Sequence, residues 1–291
     1  MWSEDRLNDL LSAPSDALVS DIKRVDGDIL ILGAGGKIGP MLARMAVRAF
    51  EQAGIKRQVW AVSRFSEPGM EDSLQAAGVR TMAADLGNAD DLKRLPDTPN
   101  VLFLAGRKFG TADSAHETWA MNVSVPTLVA RQLGARKYVV YSSGNIYPMV
   151  PLHSGGCTED TPPEPVGEYA MTTMGRERVF EHAAEHLGAQ VVLFRLNYAI
   201  DLRYGVLHDI AENVLKGQPI SLRTPAFNCV WQRYVNEVTL RSLLLAKPGV
   251  TKLNVTGPET APVKQTAHAL GDLLGRAPVF EGQPEDRALL N

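Results

Sequence analysis

The amino-acid sequence predicts an α/β protein built on a doubly wound parallel sheet, with a smaller mixed C-terminal lobe. Three observations carry that expectation. Short apolar segments recur up to about residue 200, and helix-periodic stretches lie between most of them, the alternation that makes βαβ units and parallel pairing. Ile29-Leu-Ile-Leu32 is an unbroken apolar run that glycines at 33, 36 and 39 terminate, and Pro40–Phe50 then continues with apolar residues at helical spacing. Beyond about residue 200 that rhythm gives way to proline, glycine and shorter apolar pieces. With 291 residues, 45% of them hydrophobic, the chain is long enough for one large core or two unequal lobes.

Taken in order, residues 3–24 read as one or two short amphipathic helices with Ser3 and Ser15 as N-caps. They form an N-terminal helical extension over 1–26, ahead of a nucleotide-binding domain over 27–200. Strands are expected at 29–32, 58–62, 79–82, 101–104, 137–141 and 190–194, and helices at 40–52, 70–77, 88–95, 114–133 and 168–187. A small substrate lobe over 201–291, interleaved with the larger domain, carries helices near 206–216, 236–246 and 262–275 and short apolar pieces at 217–222 and 252–255. Right-handed crossovers between the strands give the doubly wound arrangement.

The glycine run carries the first chemistry. A buried strand, a tight turn Gly33-Ala-Gly-Gly36-Lys37-Ile38-Gly39 and a helix N-terminus together make an anion site, because backbone N–H groups and the helix dipole point at a diphosphate. This is the Rossmann-type dinucleotide signature in its required strand and helix context. The second strand ends in Ser63-Arg64, where an acidic residue would bond a ribose 2′-hydroxyl and an arginine accommodates a 2′-phosphate, so NADP is expected ahead of NAD. Asp85-Leu86 follows the third strand and is placed to contact the adenine edge. Tyr141-Ser-Ser143-Gly-Asn145-Ile-Tyr147 ends the strongest strand, on the sheet edge where such folds bind ligands. Glu168-Tyr169 opens a helix, and a tyrosine there suits general acid/base work.

Other function classes are excluded or unsupported. The formal net charge is −3 and no Lys/Arg run is present, which argues against a nucleic-acid or anionic-membrane surface. Two cysteines, Cys157 and Cys229, make neither a disulfide framework nor a cysteine zinc cluster. The six histidines lack metal-ligand spacing, and no metal is expected. No segment reaches the roughly eighteen apolar residues of a membrane span. The acidic N-terminus lacks the order of a signal peptide, so a cytoplasmic protein is expected.

These motifs resemble those of the extended short-chain dehydrogenases/reductases, in the NAD-dependent epimerase/dehydratase group. The glycine run at 33–39, Asp85-Leu86, Leu104-Ala105-Gly106, Asn122-Val-Ser-Val-Pro-Thr127, Ser142-Ser143-x-x-x-Tyr147 and the helix at Tyr169 keep that group's order and approximate spacing over residues 27–200. The resemblance implies Ser143 as the serine that polarises the substrate, Tyr169 as acid/base and Asn122 as the helix asparagine of the cofactor pocket. Leu104, Ala105 and Gly106 would run past the ribose and nicotinamide. The resemblance further implies a carbohydrate-like small-molecule substrate, with Lys108, Asn145, Asn197 and Arg233 as its candidate contacts, and a homodimer through the helices at 114–133 and 168–187.

Two departures accompany the resemblance. The group pattern is Tyr-x-x-x-Lys, and position 173 is threonine. That lysine holds the nicotinamide ribose and supplies a positive charge beside the tyrosine. Arg176 lies on the same helix face roughly 10 Å further along the axis, and Lys108 follows the fourth strand, but each reads more simply as a solvated charge. In Cys229–Val238, which resembles the group's Val-x-Asp-Val segment, Glu237 replaces the aspartate and Val230 stands where a diphosphate-binding arginine is usual, with Arg233 as its candidate substitute. Two functions are therefore carried forward: an NAD(P)-dependent oxidoreductase or epimerase-type enzyme acting on a sugar-like hydroxyl or carbonyl, and a catalytically degenerate NAD(P)-binding protein with a sensing or regulatory role.

Overall fold

Ile29–Leu32 forms β1, and all four side chains are buried, because a strand with neighbours on both edges and helices on both faces has no solvent side. The computed structural model describes residues 3–291. The remaining strands of the main sheet are β2 (Val59–Ser63), β3 (Arg80–Ala83), β4 (Asn100–Phe103), β5 (Lys137–Ser143), β6 (Gln190–Leu196) and β7 (Gly249–Val255). Their order is β7-β6-β5-β4-β1-β2-β3. β1 pairs in parallel with β2 and β4, and the pairs β2–β3 and β4–β5 are parallel as well. Strand order reverses at β1 and β4, which puts the ligand crevice of such a sheet at their carboxyl ends.

The helices are α1 (Glu4–Ser12), α2 (Asp16–Ile22), α3 (Gly39–Gln52), α4 (Met70–Ala76), α5 (Ala89–Lys93), α6 (Ala115–Trp119), α7 (Val125–Leu133), α8 (Gly167–His186), α9 (Val206–Lys216), α10 (Gln232–Ser242) and α11 (Val263–Leu274). The doubly wound class expected from the sequence is the class observed. Three details differ from the sequence reading. The helix expected over 114–133 is interrupted by a wide π-type turn at Ala120–Ser124. The helix expected from 236 starts at Gln232. The piece at 252–255, read as part of the small lobe, lies in β7 on the edge of the main sheet, a pairing no local pattern announces.

The chain forms two compact units. The first comprises residues up to Ser142, Val166–Phe194 and Arg233–Leu253, and the second comprises Ser143–Pro165, Arg195–Gln232 and Asn254–Asn291. The core of the first packs Leu30, Leu32, Val101, Phe103, Tyr138, Val140, Phe180, Val191 and Leu193 from the sheet and α8. The core of the second is built on Ile210, Val214, Ile220, Phe227, Val263 and Ala267. Among the described residues no helix is long and apolar enough to cross a membrane.

In the first unit the N-terminal extension is clamped to α3 and α10. Ser3 and Ser15 cap α1 and α2 as expected, accepting from Arg6 N and Leu18 N. Ser15 Oγ also donates to Glu237 Oε1 at 2.5 Å, and Asn236 Nδ2 donates to Leu11 O at 3.0 Å. Arg233 Nε–H goes to Ala13 O at 2.9 Å, while Arg241 and Arg48 pair with Asp21 and Asp9. The replacement of aspartate by Glu237 thus gives a longer carboxylate that reaches the Ser15 cap. Ser15→Ala removes both the cap and the Glu237 bond, so denaturant unfolding should show a loss of about 1–2 kcal/mol. A loss near zero would mean the extension is not held at this point.

Candidate active site

The glycine turn lies between β1 and α3, at the strand-order reversal. Gly33 has φ +84°, and a Cβ there would lie 2.5 Å from Ala105 N on the segment after β4. A Cβ on Gly39 would lie 2.2 Å from Ala34 O, so only glycine lets α3 start this close to the turn. Gly36 is different: it is exposed, and a Cβ would come no nearer than 3.7 Å to Gly33 O. A Cβ on Gly35 would meet Ser63 Oγ at 2.4 Å; the spacing pattern does not single that glycine out. α3 begins with no side-chain cap and no acidic residue in its first turn, whereas α1, α2 and α5 are capped by Ser3, Ser15 and Asn88 above acidic first turns. An uncapped helix start behind an open glycine ledge fits a diphosphate.

Arg64 is exposed after β2 and has no ion-pair partner among the described residues. Phe65 beside it holds φ +46°, a left-handed conformation for a bulky residue, with its N–H on Ser63 Oγ at 3.4 Å. Asp85 is exposed, and its Oδ1 accepts from Gly87 N at 2.8 Å. Asn88, not Asp85, caps the following helix. Leu86 is 7% exposed and packs in the core. Lys37 and the exposed Lys108 lie at 6.0 and 5.9 Å from the ring of Phe109, itself exposed.

Asn122 joins the segment after β4 to α8. It is fully buried, on the π-type turn, a helix irregularity frequent at functional positions. Its Oδ1 accepts from Arg107 N at 2.7 Å and from Arg176 Nη2 at 2.8 Å. Its Nδ2 donates to Arg107 O at 3.0 Å and to Thr172 Oγ1 at 2.9 Å. All four hydrogen-bonding positions of the amide are therefore occupied by protein. The resemblance implies Asn122 as a residue of the cofactor pocket; its side chain is fully buried and ties Arg107 to Thr172 and Arg176 on α8. One turn before Arg176, Thr173 is 1% exposed and its Oγ1 has no partner. Tyr169 is half-buried in the first turn of α8.

Arg176 is a correction to the sequence reading. Instead of a solvated charge it is 5% exposed; Nη1 donates to Tyr141 O at 2.8 Å, and Phe103 lies 5.7 Å from Cζ. Burial lowers its pKa to about 10, against the opposing pull of Tyr169 and Glu177. Glu177 is fully buried and accepts from Ser142 Oγ at 2.5 Å. That bond separates the paired serines, since the Ser142 hydroxyl is committed inside the first unit.

In the second unit, Ser143 Oγ accepts from Asn145 N and donates to Asn145 Oδ1, both at 3.2 Å, closing a short turn that leaves Asn145 exposed. Asn197 is 1% exposed, and its Nδ2 is buried without a partner. A Cβ on Gly144 would lie 3.1 Å from Asn197 Oδ1 and 2.9 Å from Asn291 Oδ1. Asn291, whose side-chain amide atoms are likewise buried and unpartnered, lies in a 282–291 segment with no periodic signal in the sequence. It is held there by Asn228, which accepts from Asn291 N at 3.2 Å, and by Leu290 O, which accepts from Cys157 N. Arg195, buried over the Tyr147 ring, donates to Tyr147 Oη at 2.7 Å, and Tyr147 donates to Asn254 Oδ1 at 2.8 Å. Burial raises the Tyr147 pKa, with Arg195 opposing it. Among the described residues no group of three His, Cys, Asp or Glu side chains is placed to hold a metal ion.

A parallel sheet reversing at β1 and β4, with a glycine turn and an uncapped helix at the reversal, defines a dinucleotide-binding α/β protein. The profile of the family described as NAD dependent epimerase/dehydratase matches residues 29–223, and the chain belongs to that family of enzymes. No curated protein matches the chain. Solved structures share the fold. UDP-glucose 4-epimerase of Thermus thermophilus in complex with NAD is 22% identical, with a TM-score of 0.72 over 91% of this chain and 90% of that one. UDP-glucuronic acid 4-epimerase of Bacillus cereus, with UDP-glucuronic acid and NAD, is 19% identical with a TM-score of 0.73 over 90% and 87%. The Bordetella bronchiseptica enzyme WbmG, with NAD and UDP, is 18% identical with a TM-score of 0.73 over 91% and 86%.

Proposed function

We propose that the protein is an NAD(P)-dependent enzyme that interconverts a hydroxyl and a carbonyl on a sugar or sugar-like substrate. The observation that supports this reading best is the buried network around Asn122, which ties the helix of Tyr169 to the Leu104–Arg107 segment. A nicotinamide cofactor, when bound, supplies a hydride acceptor and donor. Gly33, Gly36, Lys37, Ile38 and Gly39 would hold its diphosphate, with Ser63, Arg64, Asp85 and Leu86 at the adenosine end and Leu104, Ala105 and Gly106 along the nicotinamide riboside. Tyr169 Oη takes the proton of the substrate hydroxyl as that carbon becomes a carbonyl and returns it when the carbonyl is reduced. Ser143, Asn145, Asn197 and Lys108 are the substrate-binding candidates; Arg233, the fourth contact expected from the sequence, has its Nε–H engaged by Ala13 O. The buried, unpartnered Nδ2 of Asn197 supports a ligand rich in hydroxyl groups, as does the likeness to structures that hold UDP-sugars.

The decisive assay follows nicotinamide absorbance across free sugars, sugar acids and nucleotide-linked sugars, with products analysed for inverted stereochemistry. Conversion of one of these classes is the expected result. Cofactor binding without turnover anywhere in the panel would overturn it and leave the second reading, an NAD(P)-binding protein without chemistry. Thr173, in place of the lysine, favours that second reading. The exposed Arg64 favours NADP over the NAD held by the similar structures. Arg64→Ala should weaken NADP about tenfold in calorimetric titration and barely change NAD; equal losses would sink the 2′-phosphate assignment.

A further inference from the structure

Arg176 is a buried cation for which the mechanism above has no use. Its guanidinium donates to two neutral oxygens, Tyr141 O and Asn122 Oδ1, and Nε has no partner. Burying a charge this way is costly, and removing one member of such a network is strongly destabilising. Its position is specific. A Cβ on Gly106 would lie 2.4 Å from Arg176 Nη2, yet Gly106 is itself exposed. A single glycine backbone therefore separates the guanidinium from the open side of the Leu104–Arg107 segment. The titratable groups facing Arg176 are Glu177 and Tyr169 on its own helix. Glu177 accepts from Ser142 on β5, and the remaining close neighbours on β4 and β5, Phe103 and Tyr141 O, are uncharged. Lys108, the other candidate cation, is exposed beside Phe109.

We propose that Arg176 is a positioning residue that supplies the fixed positive charge of this site from beneath Gly106, where Thr173 offers none, and that this charge makes the site prefer reduced, uncharged nicotinamide to the oxidised, cationic ring. The proposal rests on the reading that Leu104–Gly106 run along the nicotinamide riboside. The physical reason is that like charges repel most strongly where little water screens them. A merely structural arginine would affect both oxidation states equally.

Titration of the full chain with NADP+ and NADPH, and with the NAD pair beside them, gives the ratio of the two affinities without any substrate. Arg176→Gln keeps a donor for Asn122 and removes the charge. It should shift the ratio toward the oxidised form on the order of tenfold, whereas Arg176→Lys should hold it nearly constant. Glu177→Gln keeps the Ser142 contact and removes the opposing charge, so it should shift the ratio the other way. Glu177→Gln also decides the matter if Arg176→Gln does not fold. A ratio unchanged in the variants that fold, or equal weakening of both forms, would overturn the proposal. If the wild-type chain binds neither form, it is the dinucleotide reading that has failed, a result distinct from an unchanged ratio.

Discussion

Tyr169→Phe is expected to lower turnover by roughly two to four orders of magnitude while cofactor affinity changes less than about twofold. The substitution removes one oxygen from a half-buried ring and leaves α8 in place. Thr172, whose Oγ1 donates to Glu168 O at 2.7 Å and accepts from Asn122, anchors that first turn independently of the phenol. Steady-state kinetics on the best substrate of the panel, with calorimetry for the cofactor, separates the two effects. If Tyr169→Phe retains most of its turnover, another group moves the proton and the acid/base assignment is wrong. If turnover and cofactor binding fall together, the hydroxyl is needed to hold the cofactor and not only to move a proton.

Asn122→Ala should be the most damaging single change away from the chemistry, costing about 3 kcal/mol or more in denaturant unfolding. It strands the part-buried Arg107 N–H and C=O and removes an acceptor from a buried guanidinium, and each orphaned group costs up to roughly 1–3 kcal/mol. Asn122→Asp keeps both acceptor bonds and sets a carboxylate against Arg176, so it should recover part of that loss. Cofactor affinity should fall with Asn122→Ala, because Leu104–Arg107 loses its tether. A stability loss below about 1 kcal/mol would mean that water replaces the amide and that the network has little hold on the segment.

The alternation of strands and helices was legible because it is local. Ile29–Leu32 is a short, wholly apolar run because it is buried on both faces, and Gly33 and Gly39 are glycines because backbone from the same turn and from the next strand leaves no room for a Cβ. Tyr169 and Asn122 could be picked out because their motifs stand in the order of a known family. What Asn122 does was not legible, since its partners are 15, 50 and 54 residues away and fix it only once β4, the π-type turn and α8 have packed. Arg176 shows the difference most sharply. By spacing alone a charged residue on a helix is taken as solvated, and only the Phe103 ring, Tyr141 O and the absent side chain of Gly106 make a chamber for it.

By itself, then, the sequence determined the doubly wound class, the glycine turn and the tyrosine helix, because periodicity, backbone conformation and close approach along the chain are written residue by residue. Only the tertiary structure decided that Asn122 faces inward, that Ser142 is committed to Glu177, that Ser15 meets Glu237 across 222 residues, and that a buried arginine lies under Gly106. Those are properties of burial and long-range hydrogen bonding, and a polar side chain carries no local mark of the partner that will enclose it.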